Sequence, residues 1–580
     1  MKKFSNKPLT VLQQVQKEKI AKGELDISSM ARKLKNFVSR NSNTSHINYK
    51  IHHLLHDPFT FVNAYAKISK NKGALTKGIK LDSEIMNYFG KINAENISNK
   101  FKSNTYSWSP TRRVWIPKPG KNSKRPIDTP TQEDRIVQEA IRGILEAIYE
   151  PEFQEFEKDN RFIATNYGFR PNKSCIQALK TLKLQGQTSN YVLEGDIIGA
   201  YNNVNHNILL NILSRRIKDK KFMCVINSML KSGIMDKNQY EHTLTGTPQG
   251  GIVSPLLFNI YMFEFDKFVY EKIIKPLSDS HSGIKKRSSE TQKLRYESNK
   301  YLGLWKSSPA GSEESKKYKN IFQMTRKSRF AIPSYEISTL PKKAVYARYA
   351  DDWVILFTGT QKLSIELKDL VKDFLTSQLK LELDPIKTII TKLSNGFQFL
   401  GYSLYMWSTN QIKITRTISK NKFGVFRALR RTTSRKLTLR PDHKRLLKNL
   451  TLGKFCDSKQ YPIGIRSWAN FDEYDIVLKY RQVMVGIFNY YRECDNYHIL
   501  NRINYILKYS CAKTISLRKK ITMSQTFNQY GSDLKIVKQI YSSTSVTSKI
   551  VTFPDLKSLE NMTPNIYNTN NTVVDPFKIN

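Results

Sequence analysis

The feature that most constrains this chain is a pair of adjacent carboxylates between two apolar, β-prone runs. Residues 344–357 read AVYARYADDWVILF, with Asp351 and Asp352 at the centre. This pattern predicts a β-hairpin with the two acids at or beside its turn. Because neighbouring strand side chains point to opposite faces, two adjacent acids cannot both be buried in one apolar layer. Two interpretations follow, a solvated turn and a site for divalent metal ions.

The chain also carries a large excess of positive charge. Its 580 residues include 95 Lys and Arg against 49 Asp and Glu, a formal net charge of +46. An excess of this size favours a polyanionic partner, and nucleic acid is the first candidate. A membrane surface is the rival, but no apolar run has spanning length and the basic residues are dispersed along the chain. We therefore expect nucleic acid, and no membrane, as the partner.

Cysteine usage and the chain ends exclude several classes of protein. The five cysteines are scattered without a Cys-x-x-Cys pair, which argues against a disulfide framework and a zinc ribbon. The N-terminus lacks the apolar stretch of a secretory signal, and its acids Glu18, Glu24 and Asp26 argue against a transit peptide. No His follows His498 and no Cys follows Cys511, so we expect no Cys/His metal site or endonuclease activity in the tail.

The pattern along the chain predicts alternating strands and helices with two irregular regions. Residues 112–128 read as two short strands around a turn, and 191–197 as a buried strand. Residues from about 275 to 340 are basic with a weak apolar pattern, which indicates an inserted, partly flexible segment. From about 420 we expect basic helices, and after about 532 an irregular or disordered tail.

Three carboxylates are needed if the acidic pair binds metal for nucleotidyl transfer. That reaction uses two divalent cations about 3.5–4 Å apart, which activate the attacking hydroxyl and offset charge on the phosphoryl group. Magnesium takes oxygen ligands and uses few protein carboxylates. Asp351 and Asp352 supply two of them. Asp196, near the end of the predicted strand 191–197, is the best candidate for the third.

The order of short motifs resembles that of group II intron-encoded reverse transcriptase/maturases. The resemblance runs from about His56 to Gly531, and the series in this order is far more specific than any one motif. The matching segments are residues 71–79 (the N-terminal extension), 112–138 and 166–171 (fingers), 194–201 (first catalytic Asp), 246–255 (the Pro-Gln-Gly block), 349–352, 383–388 and 399–402 (palm), and 480–491 and 507–520 (maturase domain). Retroviral, telomerase and retron enzymes lack this pairing with a maturase domain.

The resemblance implies a role for each matching residue. Asp196, Asp351 and Asp352 would be catalytic and would hold two Mg²⁺ ions. The residues implied in nucleotide binding are Lys118, Arg125, Tyr201, Gln249, Gly250 and Lys387. Tyr201 would be the aromatic gate under the incoming sugar, with core packing as the alternative. Lys118 and Arg125 would meet the triphosphate, with a solvated basic turn as the alternative.

A second implied set binds primer or RNA. Its members are Phe399, Leu400, Gly401 and Tyr402 in the palm and Arg481, Tyr490 and Tyr491 in the maturase helix. Helix packing is the alternative for the two tyrosines. The chain departs from the family at Asn202 and Asn205, where acidic residues are common, although the first metal-binding Asp is kept.

The resemblance implies an α+β multidomain fold, a right-hand polymerase (fingers and palm) with an α-helical thumb or maturase X domain. The expected divisions are a basic extension at 1–45, fingers at 46–190, a palm at 191–405, an α-helical thumb at 420–531 and an irregular tail at 532–580. The expected partners are group II intron RNA, a DNA target or primer, and deoxynucleoside triphosphates. The sequence leaves the oligomeric state open.

The expected function is twofold, to promote splicing of the host intron RNA and to synthesise DNA on an RNA template for intron mobility. One alternative is a non-enzymatic splicing factor on a decayed polymerase fold. The other is a stand-alone reverse transcriptase. Composition rich in Lys, Asn and Ile suits an AT-rich organelle genome, so we expect synthesis inside a mitochondrion, with a plastid or a bacterial cytoplasm as alternatives.

Overall fold

A computed structural model of the chain describes its residues in fifteen segments. They are 27–71, 73, 76–79, 89–117, 124–160, 162, 164–237, 239–243, 245–279, 288–332, 343–408, 414–421, 424–431, 435–541 and 546–561. The chain divides into two compact units that interleave along the sequence. The first unit combines residues 1–165, 197–267 and 372–383, and the second combines 166–196, 268–371 and 384–580. These units do not follow the predicted domain borders, which remain a prediction.

The first unit contains a four-stranded sheet in the order β2-β1-β4-β5. Its strands are β1 Thr111–Pro117, β2 Lys124–Thr129, β4 Ile234–Asp236 and β5 Gln239–Glu241. The antiparallel pair β1 and β2 is the pair of short strands that the sequence predicted. Residues 118–123 between them, which include Lys118, lie outside the described residues.

Helices supply most of the first unit's core. The longest one, Gln132–Asp159, begins at Thr131, whose hydroxyl accepts the backbone N–H of Asp134 at 3.2 Å, a stabilising N-cap. Residues 134–141 are all buried, so this part of the helix is covered on every side, and from Ile141 to Phe153 the buried apolar positions follow one helix face. The other helices are Ile27–Asn41, Pro58–Ile68, Lys91–Lys102, His206–Ser214 and Lys220–Leu230. Ser254–Val269 and Gln361–Gln378 each contain a chain boundary between the units.

The second unit is built on a four-stranded sheet in the order β6-β7-β3-β8. Its strands are β3 Tyr191–Gly195, β6 Ala344–Tyr349, β7 Asp352–Phe357 and β8 Ile389–Lys392. Strand β3 pairs antiparallel with both β7 and β8, and its adjacent residues Val192 and Leu193 are both fully buried. Neighbouring side chains point to opposite faces, so both faces of this strand are covered, as the sequence predicted.

A second group of strands corrects the prediction of helices from residue 420. β10 Tyr402–Ser408 pairs with both β9 Phe397–Phe399 and β13 Arg435–Pro441, and β11 Ile414–Asn421 pairs with β12 Gly424–Arg431. In β13 the buried Leu437 and Leu439 alternate with more exposed residues, which is the strand period. The density of basic residues in this region does not distinguish a strand from a helix.

The helical part of the predicted thumb begins at His443. Its helices are His443–Leu452, Glu473–Tyr491, Leu500–Lys519 and Met523–Tyr530. The sequence predicts one apolar helix face from Ile476, Tyr480, Val483, Ile487 and Tyr490, which step by four and three. The first four of these residues are buried, and Tyr490 is half-buried. A short helix, Cys175–Gln185, also belongs to this unit.

The predicted irregular tail is wrong for residues 536–561. Strands β14 Ile536–Tyr541 and β15 Val546–Val551 form an antiparallel pair, and the helix Leu556–Asn561 follows them. The segment is ordered by tertiary packing, since Val551, Phe553, Leu556 and Leu559 are buried. Residues 562–580 lie outside the described residues.

The basic insertion is also more regular than the sequence predicted. The helix Ser254–Val269 continues through a π-helical turn, Tyr270–Ile274, into Lys275–Asp279. Two further helices, Ser289–Ser307 and Glu313–Ala331, pack side by side and are called the helical hairpin below. Their polar composition hides the helical period. Across the described ranges, no helix has the length and apolar character needed to cross a bilayer.

Candidate active site

The two adjacent acids lie at the tight turn between β6 and β7, as predicted. Tyr349 pairs with Asp352, so Ala350 and Asp351 form a two-residue connection. Ala350 has a φ of +59°, a conformation that costs a non-glycine residue about 1 kcal/mol or more. The buried Arg348 donates a hydrogen bond of 3.2 Å to the carbonyl of Ala350. A Cβ on Gly168 would lie 2.6 Å from the Ala350 nitrogen, so the backbone at Gly168 packs directly against the turn.

The third acid reaches the same point through the register of β3 on β7. Gly195 pairs with Trp353, and one further step in this antiparallel register places Asp196 opposite Asp352. The ring of Trp353 lies against Gly195, where a Cβ would come within 1.9 Å of Cζ2. Glycine is therefore required beside the first acid for the two strands to approach.

The electrostatics of Asp352 show that the three acids lie close together. Desolvation by surrounding atoms, then repulsion by Asp351 and Asp196, raise the pKa of Asp352 to about 7, while Lys387 and Arg445 oppose this shift. The Asp352 side chain is nonetheless exposed. Contact with water weakens the effect of desolvation on this pKa. We therefore attribute the raised pKa of Asp352 mainly to repulsion by the other two acids.

Lys387 is the cation bound to this cluster. Its Nζ forms an ion pair with Asp196 and a second one, at 3.2 Å, with Asp384. The Asp384 N–H donates to the Asp196 carbonyl at 2.9 Å, and the Asp384 carboxylate accepts the Lys387 N–H at 3.2 Å. The hydrogen bond that the Lys387 ammonium donates to Asp196 is the main cause of the raised pKa of Lys387. The loop thus delivers a positive charge to the first acid.

The donor set suits a hard divalent cation, although the ligands are not yet arranged around one. Within the part of the chain that the structure describes, no three His, Cys, Asp or Glu side chains form a ready metal-binding group. Asp196, Asp351 and Asp352 nevertheless offer oxygen atoms alone, which magnesium prefers. Their mutual repulsion would be relieved by a cation. Binding would require the Lys387 ammonium to leave Asp196.

Two of the predicted nucleotide-binding residues of the first unit, Gln249 and Gly250, contact Asp128. The Asp128 N–H donates to the Gln249 carbonyl at 2.7 Å. Gly250 has a φ of +127°, and a Cβ there would lie 2.6 Å from the Asp128 carbonyl, so glycine is required. Tyr201 is half-buried, and its ring stacks on Phe258 at 4.6 Å between centroids. Core packing therefore accounts for one side of Tyr201, which leaves its gate role a prediction.

Arg125 lies on β2, where its side chain is exposed to solvent and Ile116 is its partner across the strand pair. This position agrees with either prediction made for it, a triphosphate contact or a solvated basic residue. The predicted partner in that contact, Lys118, lies outside the described residues.

The predicted primer-binding residues form a tight turn that two tyrosines contact. Leu400 and Gly401, with φ of +48° and +75°, connect β9 to β10. The Tyr490 hydroxyl donates to the Leu400 carbonyl at 2.7 Å, and the Tyr491 hydroxyl donates to the Gly401 carbonyl at 3.3 Å. In turn the Tyr402 hydroxyl donates to the Tyr490 carbonyl. Both hydroxyls thus contact the turn, which favours packing over direct RNA contact for the tyrosines.

Arg481 on the same maturase helix is also engaged within the protein. Its guanidinium donates to the carbonyl of Thr552 at 2.9 Å, beyond the end of β15. The interaction connects the helix to the ordered part of the tail. Its predicted contact with nucleic acid remains a prediction.

Sequence reasoning missed several residues that shape the site. Gly168, Gly195 and Arg348 support the acids without carrying chemistry. Glu194 lies two residues before Asp196, on the same face of β3, and desolvation raises its pKa to about 7. A glycine next to a strand-end acid was a usable signal. The close approaches of Gly168 and Arg348 depend on tertiary contacts that no local pattern contains.

Two protein families match separate parts of the chain. Residues 116–296 match the family described as reverse transcriptase (RNA-dependent DNA polymerase). Residues 434–579 match the family described as type II intron maturase. The first match contains Asp196 and the predicted nucleotide-binding residues from Lys118 to Gly250. The second contains the four helices of the predicted thumb and the ordered part of the tail.

Known proteins resemble the chain over most of its length. The group II intron-encoded protein LtrA of Lactococcus lactis is 33% identical over 508 residues, covering 85% of this chain and 79% of that protein. A putative COX1/OXI3 intron 2 protein of Saccharomyces cerevisiae is 29% identical, covering 87% of this chain and 56% of that protein. An uncharacterized mitochondrial protein, ymf11, of Marchantia polymorpha is 25% identical, and the match covers 73% of this chain and 59% of that protein. The chain thus spans most of the bacterial relative and little more than half of the other two.

Proposed function

Because this chain belongs to the family of group II intron-encoded reverse transcriptase/maturases, we propose that Asp196, Asp351 and Asp352 catalyse DNA synthesis on an RNA template. The chain is a group II intron maturase with a reverse transcriptase domain. The same molecule promotes splicing through its contacts with intron RNA, and that function does not require the three acids.

One observation carries the proposed catalytic role. The antiparallel pairing of β3 with β7 places Asp196 opposite Asp352, and the tight turn places Asp351 beside them. A fold kept only as a scaffold for RNA would gain nothing from three repelling carboxylates at one end of a sheet. Decay of the polymerase site would be expected to remove at least one of these acids.

Two Mg²⁺ ions, when bound, would polarise the phosphoryl group and make the primer hydroxyl a better nucleophile. Asp196, Asp351 and Asp352 would hold them. Lys387 would move its ammonium from Asp196 and remain close to the developing negative charge, where a cation stabilises phosphoryl transfer. The turn at Leu400 would hold the primer end. Its position is fixed through hydrogen bonds to the maturase helix rather than through side-chain packing alone.

The incoming deoxynucleoside triphosphate would contact residues of the first unit. Tyr201 packs one side of its ring on Phe258, so its exposed edge can contact the sugar without moving. Gly250 brings the backbone close to Asp128 and leaves no side chain in that space. Arg125 would meet the triphosphate as an exposed, permanently charged guanidinium.

Splicing is assigned to the basic surface and to the maturase segment. Phosphate contacts from Lys and Arg supply affinity for RNA, and the shape of the folded intron supplies much of the specificity. We propose a right-hand polymerase with an α-helical maturase thumb that begins at His443. Residues 512–580 contain no His or Cys, so no nuclease step is assigned to them.

The names of the relatives support the proposal that this protein is synthesised inside a mitochondrion. The Marchantia relative is named a mitochondrial protein and the yeast relative a COX1 intron protein, whereas the Lactococcus relative is bacterial. The DNA that flanks the reading frame tests this directly. An organelle genome with group II intron structure around the frame supports it, and a frame outside any intron would support a stand-alone enzyme.

The catalytic role is tested by primer extension on an RNA template with Mg²⁺. The variant Asp351→Asn with Asp352→Asn should lose activity by about 100-fold or more, because the site loses two charged ligands. The matched control is Asp369→Asn with Asp373→Asn, the same charge change on two exposed residues of the helix Gln361–Gln378. Equal activity in the two variants would contradict the assignment, and no synthesis by the wild-type chain would favour a decayed enzyme.

A further inference from the structure

The helical hairpin is strongly basic, and neither polymerase catalysis nor the maturase segment accounts for it. Residues 289–331 contain ten Lys and Arg against four Glu. Residues 297–433, which include most of the hairpin, lie between the two family matches. The short linker 308–312 requires the two helices to run antiparallel, and each is about 28 Å long at 1.5 Å per residue. The hairpin therefore presents positive charge over a length that spans several phosphates.

Four aromatic side chains of the hairpin contact one another across the seam between its two helices. Tyr301 contacts Tyr318 at 6.4 Å between ring centroids, and Trp305 contacts Phe322 at 5.9 Å. The buried residues of the two helices are small and polar, namely Thr291, Ser298 and Ser315. The large apolar side chains that the hairpin exposes, Tyr296, Leu304 and Met324, are outnumbered by its ten Lys and Arg, so positive charge is the main feature of this surface.

Three arginines gather towards the end of the hairpin that is far from the linker. The guanidinium of Arg326 lies 5.8 Å from the Phe322 ring and 5.7 Å from the Phe330 ring, and that of Arg329 lies 5.2 Å from Phe330. Arg295 is near enough for its charge to act on Arg329. None of the three forms an ion pair with an acid among the residues that the structure describes.

This arrangement is costly without an anion and well suited to one. Like charges held together repel, and the aromatic rings beside them limit how far two of the guanidinium groups can move apart. Arginine presents a rigid fork of N–H donors that matches a phosphate in a bidentate geometry. A cluster already positioned in this way loses little side-chain freedom when it binds.

We propose that Arg295, Arg326 and Arg329, here named the arginine cluster, form a binding site for the phosphate backbone of structured RNA. Net positive charge along both helices favours a polyanion with regularly spaced charges over a single acidic side chain. Folded RNA brings phosphates of separate strands close together, which a compact arginine cluster can neutralise. The choice of RNA rests on the proposed maturase function, whereas the site itself rests on the hairpin.

The test uses the full chain and a transcript of the intron that contains its reading frame. Arg326→Gln with Arg329→Gln should weaken binding at least tenfold near physiological salt. The dependence of log affinity on log salt should become shallower by about two, since each lost phosphate contact contributes about 0.9. The matched control is Lys316→Gln with Lys317→Gln, which removes the same charge from exposed residues near the linker and should change affinity less than threefold.

Two further variants and measurements keep the result interpretable. Arg326→Lys with Arg329→Lys keeps the charge without the fork and should recover only part of the lost affinity. Circular dichroism and the melting temperature show whether each variant folds. Primer extension on a short RNA–DNA duplex, which is too small to reach a separate RNA site, should be unchanged in the arginine variants. That assay reports on the polymerase function separately from the arginine cluster.

Defined outcomes would overturn the proposal. Equal loss of affinity in the arginine and lysine variants would show that only overall charge matters. Unchanged RNA binding by the folded arginine variant would remove the site. A change in oligomeric state by analytical ultracentrifugation, with RNA binding unchanged, would show that the arginine cluster contacts a second copy of the chain instead.

Discussion

Gly195 offers the sharpest structural perturbation of the candidate site. In Gly195→Ala the new Cβ would lie 1.9 Å from Cζ2 and 2.2 Å from Cε2 of Trp353, far inside van der Waals contact. Trp353 is only 1% exposed, so its ring has no free space to enter. Overpacking a closed core costs about 1–3 kcal/mol, and the size of this overlap favours the upper part of that range. Relief requires β3 to move away from β7, which separates Asp196 from Asp352.

The expected result is a lower melting temperature together with a disproportionate loss of polymerase activity. A displacement of about 1 Å at a reacting centre can cost on the order of 100-fold in rate. Primer extension below the melting range of the variant measures this loss apart from unfolding. The matched control is Gly143→Ala in the helix Gln132–Asp159, where nothing lies within 4 Å and alanine should stabilise by about 0.5–1 kcal/mol.

A second substitution tests the cause. Trp353→Phe removes part of the ring that contacts the new methyl group, so combining it with Gly195→Ala should cost less than the sum of the two single changes. Wild-type stability and activity in Gly195→Ala would refute the reasoning. Additive effects in the double variant would show that the overlap with Trp353 is not the cause.

Three further predictions follow from the same unit. Desolvation raises the pKa of Glu194 to about 7 from 4.5, so the stability that the neutral carboxyl contributes is complete below pH 4.5 and is lost as pH rises through 7. Glu194→Gln should therefore stabilise the protein by roughly 2–3 kcal/mol at pH 8 and hardly at pH 4. An equal shift of the melting temperature at the two pH values would contradict this prediction. Lys387→Met removes the cation that competes for Asp196, so Mn²⁺ should bind several-fold more tightly without nucleic acid, measured by electron paramagnetic resonance, while primer extension slows. Tyr490→Phe removes the hydrogen bond to Leu400, worth about 0.5–1.5 kcal/mol, and should raise the KM for primer–template more than that for nucleotide.

Local sequence patterns were sufficient for the elements that carry the acids. The apolar runs on either side of Asp351 and Asp352 determine a hairpin, and the buried run before Asp196 determines a strand, because each depends on a few adjacent residues. The register that joins them is not local. It depends on Gly195 against Trp353, two residues that are 158 positions apart in the chain. The position of Asp196 near a strand end makes it the best candidate for the third acid, and the family resemblance implies the same role, but neither of them gives the register.

The wrong predictions have two physical reasons. After residue 420 a local strand signal exists, the alternation of Leu437 and Leu439, but it is short and lies among many basic residues. The helical hairpin has a seam of small and half-buried aromatic residues, which gives only a weak apolar period. The ordered tail depends on a few residues such as Phe553 and Leu559, whose burial is decided by the helices they pack on. Tertiary contacts determine the structure of the hairpin and of the tail, where the local pattern is weak.

The central claim is that one chain has two functions and that only one of them needs the three acids. The most direct measurement compares DNA synthesis on an RNA template with splicing of the intron transcript, using the same preparation of Asp352→Asn. We predict that synthesis falls about 100-fold or more while splicing stays within about twofold of wild type. Loss of both activities in a folded variant, or retention of both, would contradict the account.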